Sequence, residues 1–440
     1  MESGKTDSRK TVFLSLCIMG GLVILSSTMS KSGSVLSTFS TSLGTPDAWT
    51  GIIVSASTIP GILASLPAAS LSDIFGRRKF LLLSGLIFAS APFLYLFITD
   101  WWQLIPVRFY HGFATAIFVP VAEASIAELF PDKRGERISL FTSATYVGRI
   151  IAPTLGGYLL LMTSHGFHQV YIAVAVAGIA GLITALPVLT GKLQRTNTRE
   201  RPEQEHAKEA LKERFFRWRK AASNMLSGWR KIAGNRGVLA VSVIQAGHYY
   251  VFGAFDFYLA EYMISGLGYS TFSQGLVASS VLAVALFTRP AMGRLSDKIG
   301  RRIPIILGSF LSALAFVAVP YTANFEILVV LLVIYGFGFA TVTSATSPLI
   351  CELVPQELVG TSIGFLDTMM DVGQTLGGFI SGLVFATSLH YGGVFLSFAI
   401  ILLSSYLVFE LLRNWEKVVK LLRKAFVHTS ASRARNFHLG

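Results

Sequence analysis

The sequence predicts an all-α integral membrane protein, with twelve transmembrane helices in two pseudo-symmetric six-helix bundles. Three observations predict it: too little charge for a watery surface, twelve apolar runs of spanning length, and a repeat that aligns the two halves. Of 440 residues, 52% are apolar and 14% charged, and the mean hydropathy is +0.59. A soluble domain carries about 25% charged residues. The missing polar surface implies contact with lipid.

Runs of mostly apolar residues lie near 11–37, 49–70, 80–99, 103–129, 137–162 and 168–190. A second set lies near 237–263, 273–294, 302–321, 325–350, 361–387 and 391–412. Each is long enough to cross a hydrocarbon core as a helix. The first is too long for the apolar core of a signal peptide and has no small-residue cleavage pattern after it, so it is expected to stay as span 1.

The net charge of +13 does not point to nucleic acid, because the basic residues sit beside spans. Lys5, Arg9 and Lys10 precede span 1; Arg77, Arg78 and Lys79 follow span 2; Lys133, Arg134 and Arg137 follow span 4; Arg301 and Arg302 follow span 8. The opposite loops, around 38–48, 100–102, 163–167, 264–272, 322–324 and 388–390, hold no Lys or Arg. That asymmetry predicts a multi-pass cell-membrane protein with both termini cytoplasmic. Cys17 and Cys351 fall toward cytoplasmic span ends and are expected as free thiols.

Four regions follow: a six-helix bundle over 1–190, a charged linker over 191–236, a second bundle over 237–412 and a basic tail over 413–440. Within the linker, 207–232 reads as a helix with Leu211, Phe215, Trp218 and Trp229 along one side, suited to the headgroup region. The repeat relates the bundles. Leu71-Ser72-Asp73 and Gly76-Arg77-Arg78 recur 224 residues later as Leu295-Ser296-Asp297 and Gly300-Arg301-Arg302. At the same offset Leu43-Gly44 meets Leu267-Gly268, and Glu128 and Pro131 meet Glu352 and Pro355. Such parallel repeats commonly place a binding site between two rocking bundles.

The stretch from Ser70 to Lys79, and its second copy from Gly293 to Arg302, resembles the signature loop of the major facilitator superfamily. Ser70 stands where that family usually has Gly. The resemblance covers nearly the whole chain and implies the major facilitator fold. It also implies that the loop latches the outward-facing state, with Asp73 near the start of span 11. The residues suit such a role. Gly76 and Gly300 permit a short turn, Asp73 and Asp297 can face helix N-termini, and Arg77, Arg78, Arg301 and Arg302 can pair with acids at neighbouring helix ends. Alternatively, the basic residues set topology alone.

Span 4 carries Arg108, His111 and Gly112 in an apolar helix that also holds Glu123. The pattern resembles the Arg-containing motif of the drug:proton antiporter branch. An arginine inside a span costs about 2.5–3.5 kcal/mol, so Arg108 must face a cavity or partner, or else reach the outer surface. Span 5 contains Gly148, Arg149, Ala152, Pro153, Gly156 and Gly157, which resembles the Gly-Pro motif of exporters, with Ala152 in place of a Gly. Its Pro and Gly residues bend the helix and flatten one face. Arg149 sits near mid-span, and Asp367 and Asp371 lie at comparable depth in span 11. They form either a permanent ion pair or a proton and substrate switch, in which the position of the cation decides whether a carboxylate holds its proton.

Lys31 in span 1 and Asp256 in span 7 lie at matching depths toward the outside, as expected either of a gate pair or of two charges that each reach interfacial water. The aromatic residues of span 7, from Tyr249 to Tyr258, either line a cavity or pack between helices, with packing expected for most. No phosphate loop, metal cluster or catalytic constellation is evident, so no cofactor, metal or enzymatic activity is expected. The resemblance in spans 4 and 5, with the midplane ionisable residues, implies a secondary transporter coupled to protons and exporting small amphiphilic compounds, and a monomer is expected because one chain holds both halves of a pathway. Ion-coupled or facilitative uptake of a small metabolite, such as an organic anion or sugar, is the alternative. A non-transporting receptor on the same scaffold is a third reading.

Overall fold

The computed structural model describes residues 2–186, 216, 229–230, 232 and 234–414. The expected linker helix over 207–232 and the basic tail beyond residue 414 lie almost wholly outside the described residues. Within them the chain is helical, with no strand.

Span 1 comprises Glu2–Lys31 and Gly33–Ser42, and span 2 comprises Asp47–Ala56 and Ile59–Phe75. Spans 3 to 6 are Arg77–Tyr95, Leu104–Leu129, Arg134–Met162 and Phe167–Thr184. Span 7, Arg236–Ala260, continues through a wider π-type turn over Glu261–Gly266. Spans 8 to 12 are Thr271–Ile299, Arg302–Ala318, Phe325–Glu352, Val359–Phe385 and His390–Arg413. Helices suit this chain because lipid offers backbone groups no alternative partners. Where spans begin in polar surroundings, side chains supply caps. Asn235 accepts from Gly237 N at 2.9 Å, Asn324 from Glu326 N at 2.9 Å and Ser270 from Ser273 N at 3.1 Å.

Two spans are broken. Span 2 stops at Ala56 and restarts at Ile59, because Pro60 has no N–H and its ring would strike the carbonyl one turn earlier. Span 1 breaks at Ser32, whose φ and ψ of −60° and 146° are extended. The repeat is visible in the backbone as well. Gly44 and Gly268 turn at φ of +68° and +74°, and Gly76 and Gly300 at +97° and +86°, conformations that favour glycine.

Spans 3, 6, 9 and 12 carry stripes of exposed apolar residues, such as Ile172, Val176, Ile179 and Ile183 on span 6. Helical spacing puts each stripe on one face, as expected of a surface turned to lipid. Ten of the twelve spans are long and apolar enough to cross a membrane. Spans 5 and 11 fall short in hydropathy, although they are as long as the others. They occupy equivalent places in the repeat and hold Arg149, Asp367 and Asp371.

The buried apolar residues show how the halves meet. One large cluster joins Val35, Phe39 and Ile53 of the first bundle to Tyr258, Phe385 and Phe395 of the second. These lie toward the hairpins that link spans 1–2, 5–6, 7–8 and 11–12. Toward the opposite end, which carries the Asp73 and Asp297 loops, the core divides in two. One cluster, with Leu16, Phe118 and Phe141, belongs to the first bundle. The other, with Val241, Ile305 and Val342, belongs to the second. The bundles are fused at the hairpin end and separate at the basic end.

Glycine permits the closest crossings. A methyl group on Gly148 would overlap the carbonyl of Gly21 in span 1, whereas one on Gly293 of span 8 meets open space. Gly148→Ala is therefore expected to lower the midpoint of thermal unfolding in detergent, by an overpacking cost of about 1–3 kcal/mol. Gly293→Ala is expected to raise it, since alanine is favoured over glycine in a helix by about 1 kcal/mol.

Candidate functional site

Between the bundles lies a cavity of about 470 Å3. Three seams close it at the hairpin end. Spans 5 and 8 are joined by Thr154 Oγ1 to Ser279 Oγ at 2.7 Å and by Thr271 Oγ1 donating to Gly157 O at 2.8 Å. Spans 2 and 11 are joined by Ser55 Oγ donating to Thr375 O at 2.7 Å and by Thr58 Oγ1 to Thr375 Oγ1 at 2.8 Å. Spans 1 and 7 are joined through carboxylates. Asp256 accepts from Gly33 N at 2.8 Å, and Glu261 accepts from Ser37 and Thr41 hydroxyls at 2.7 and 2.8 Å. At the basic end no such seam exists among the described residues. Toward the basic end the bundles still meet where Arg289 donates to the Tyr146 hydroxyl, near mid-span.

The seam between spans 1 and 7 differs from the sequence expectation. Lys31 and Asp256 both line the cavity, but they form no ion pair. The break at Ser32 frees the amide of Gly33, and Asp256 meets that amide at the N-terminus of the second segment, where a carboxylate is favoured. Its other oxygen accepts from Gln274 Nε2 at 2.9 Å. Lys31 is left facing the cavity. Sequence reasoning also missed Glu261, only 6% exposed. Its signal was a carboxylate in an otherwise apolar run, the same signal that flagged Asp256.

Arg108 does not reach the outer surface. It is 2% exposed and turns toward the break in span 2. Its Nε donates to Ile53 O at 2.7 Å, and its Nη2 donates to Val54 O at 3.2 Å and Ser57 Oγ at 3.0 Å. Those carbonyls end the segment Asp47–Ala56 and have lost their own helical partners, so a cation there satisfies both hydrogen bonding and the helix dipole. The clamp requires close approach, and Gly112 provides it, since a methyl group there would overlap Ser57 O. His111 sits beside Arg108, 3% exposed, with Nδ1 3.4 Å from Ser30 Oγ.

Arg149, Glu123, Asp367 and Asp371 all line the cavity. The permanent ion pair considered for Arg149 is not formed. Among the described residues none of these four has a salt bridge, and Arg149 lies over the Tyr146 ring at 5.3 Å. Arg289 lies over the same ring at 5.2 Å. Asp371 packs onto Gly61 of span 2. Asp367 is exposed toward the basic mouth. On span 7 the aromatic residues are divided. Tyr249, Phe252, Phe255 and Phe257 line the cavity, more of them than expected, while His248, Tyr250 and Tyr258 pack between helices. Within the span 5 motif, Pro153 lines the cavity and its carbonyl faces Gly275, Gly156 packs on Val35, and Gly157 meets span 8.

The two signature loops have matching geometry. Arg77 pairs with Asp73 and meets Glu128 at 2.6 Å, while Arg301 meets Asp297 at 2.5 Å and Glu352 at 2.9 Å. Each loop is thereby tied to the end of span 4 or span 10 within its own bundle. Arg302 reaches Glu410 at 2.8 Å, whereas Arg78 is exposed. No hydrogen bond or ion pair joins Asp73 to span 11 among the described residues.

The major facilitator superfamily profile matches residues 16–272 and 241–434. The chain belongs to the major facilitator superfamily. It is 24% identical over 344 residues to an uncharacterised transporter of that superfamily from Methanocaldococcus jannaschii, covering 78% of this chain and 83% of the relative. It is 24% identical over 345 residues to the multidrug resistance protein MdtG of Escherichia coli, covering 78% and 79% of the two chains. Among solved structures, a bacterial homologue of the human lysosomal transporter Spinster, inward-facing and unoccupied, superposes with a TM-score of 0.73. That likeness covers 92% of this chain and 97% of the other at 16% identity, and it supports the fold. The protein is thus a multi-pass membrane transporter of the superfamily.

The clamp on the broken span leads to a specific expectation. Arg108→Met should strand the carbonyls of Ile53 and Val54 and lower stability in detergent by about 2–5 kcal/mol. Arg108→Lys should recover part of the loss, because an ammonium can reach only some of the three acceptors. Equal stability of the Met variant and the parent would remove the clamp from the account.

Proposed function

We propose that the protein is a proton-coupled exporter of small amphiphilic compounds, working by alternating access in the cell membrane with both termini in the cytoplasm. The observation that carries this reading is the cavity itself. It lies between two bundles, is closed at one end only, and brings unpaired Asp367, Asp371 and Glu123 together with an aromatic wall. Glu123 and Asp371, partly buried and without a salt bridge among the described residues, are suited to exchanging protons as the cavity changes sides. The relative named as a multidrug resistance protein supports a drug-like substrate class.

The basic loops support a cytoplasmic position for the open end, which would make the conformation inward-facing. Asp73 and Asp297 would then belong to a latch that closes in the opposite state. Their carboxylates are 57% and 60% exposed, and each is already oriented by its arginine. When the basic ends meet, Asp73 would reach the start of span 11, and the hairpin seams would part. One chain holds both bundles and a whole pathway, so a monomer suffices.

The experiment is solute-driven proton movement in proteoliposomes loaded with a pH dye, screened over amphiphilic cations, organic anions and sugars. At least one amphiphile should drive a proton flux, and Asp371→Asn should reduce it at least about tenfold while leaving the protein folded. A sugar or anion carried without proton movement would replace this reading with facilitated uptake. Binding without flux would favour a receptor.

A further inference from the structure

The charges of the cavity are sorted by bundle. Two of its charged groups are already held: Arg108 by span 2, and Asp256, on the opposite wall, by Gly33 and Gln274. The remaining cations, Lys31 and Arg149, both project from the first bundle, and Asp367 and Asp371 both project from the second. Glu123 of the first bundle adds a carboxylate near the mouth. Among the described residues no salt bridge crosses the cavity, although the two signs line the same space.

Partly buried charges left apart in this way depend on water or a ligand for solvation. A solute with one charge would serve one wall and displace water from the other. A solute with both charges would serve both walls at once, and its apolar part would lie along Tyr249 and Phe252, which also line the space. It would also tie the two bundles together, which a singly charged solute cannot do to the same degree. We infer that the cavity selects small zwitterionic amphiphiles, the anionic group held by Lys31 and Arg149 of the first bundle and the cationic group by Asp367 and Asp371 of the second. This rests on the transporter reading and narrows its substrate class.

The test uses three fluorescent probes on one skeleton: Nε-dansyl-lysine, which is zwitterionic, its methyl ester, which is cationic, and its Nα-acetyl derivative, which is anionic. Binding is measured to the full chain in lipid nanodiscs at neutral pH. The zwitterion should bind at least about tenfold more tightly than either relative. Asp371→Asn should weaken the zwitterion and the ester but not the acetyl derivative, and Arg149→Gln should weaken the zwitterion and the acetyl derivative but not the ester. Should either variant fail to fold, Asp367→Asn or Lys31→Met replaces it. An ester that binds as tightly as the zwitterion overturns the inference in favour of a cation site. So does an equally tight acetyl derivative, in favour of an anion site, and so does the absence of binding by all three. Flux of the same probes in proteoliposomes separates the two readings. Selective binding of the zwitterion without flux defeats the transporter reading alone, while flux of the ester without preference for the zwitterion defeats this inference alone.

Discussion

A methyl group on Gly157, Gly275 or Gly382 would be enough to hold the two bundles apart, and the rest of the structure depends on their touching there. In lipid there is little hydrophobic drive to bring helices together, so association rests on close van der Waals contact and on hydrogen bonds across the contact. Small residues and hydroxyls supply both where spans 5 and 8, and spans 2 and 11, cross. Because these contacts lie at the hairpin end, the remaining length of each bundle is free to diverge. The cavity is the space left by that divergence. Its polar lining is tolerable in the membrane because it faces this space and not the lipid.

The breaks in spans 1 and 2 follow from the same constraint. A broken helix exposes backbone groups that lipid cannot satisfy, and each break is met by a charged side chain from elsewhere. Asp256 takes the free amide at the break in span 1, and Arg108 takes the free carbonyls at the break in span 2. Each uses the sign of charge that the local helix end favours. Two of the intramembrane charges are thus engaged in backbone chemistry, which leaves Lys31, Arg149, Glu123, Asp367 and Asp371 facing the cavity.

Most of the fold was legible in the sequence, because span length, loop charge and the repeat are properties of the chain itself. The ends of span 8 and span 12 fall within a few residues of the apolar runs. Spans 5 and 11 were legible by length and repeat, although their hydropathy falls below that of the other ten. Depth was legible too: Lys31, Arg149, Asp256 and Asp371 all fall within the helices of their spans. Their partners were not. A sequence gives position along a helix but not azimuth across a bundle, and a backbone group freed by a break carries no residue label. The amide of Gly33 was invisible for that reason, and Lys31 was assigned to Asp256 in its place. Pro60 was the available signal for the break in span 2, and it identifies the carbonyls that Arg108 meets.

The central claim is that two rigid bundles rock about a fixed cavity, so that one end opens as the other closes. It is tested most directly by distances between spin labels in lipid nanodiscs, measured across an acid-to-neutral pH series. One pair, at Lys133 and Glu357, reports the basic end, and the other, at Met162 and Ala386, reports the hairpin end; all four are exposed and each pair is related by the repeat. The account predicts two populations with opposite changes, the first distance shortening as the second lengthens. A single distribution at both ends under all conditions, or changes of the same sign at both, would contradict it.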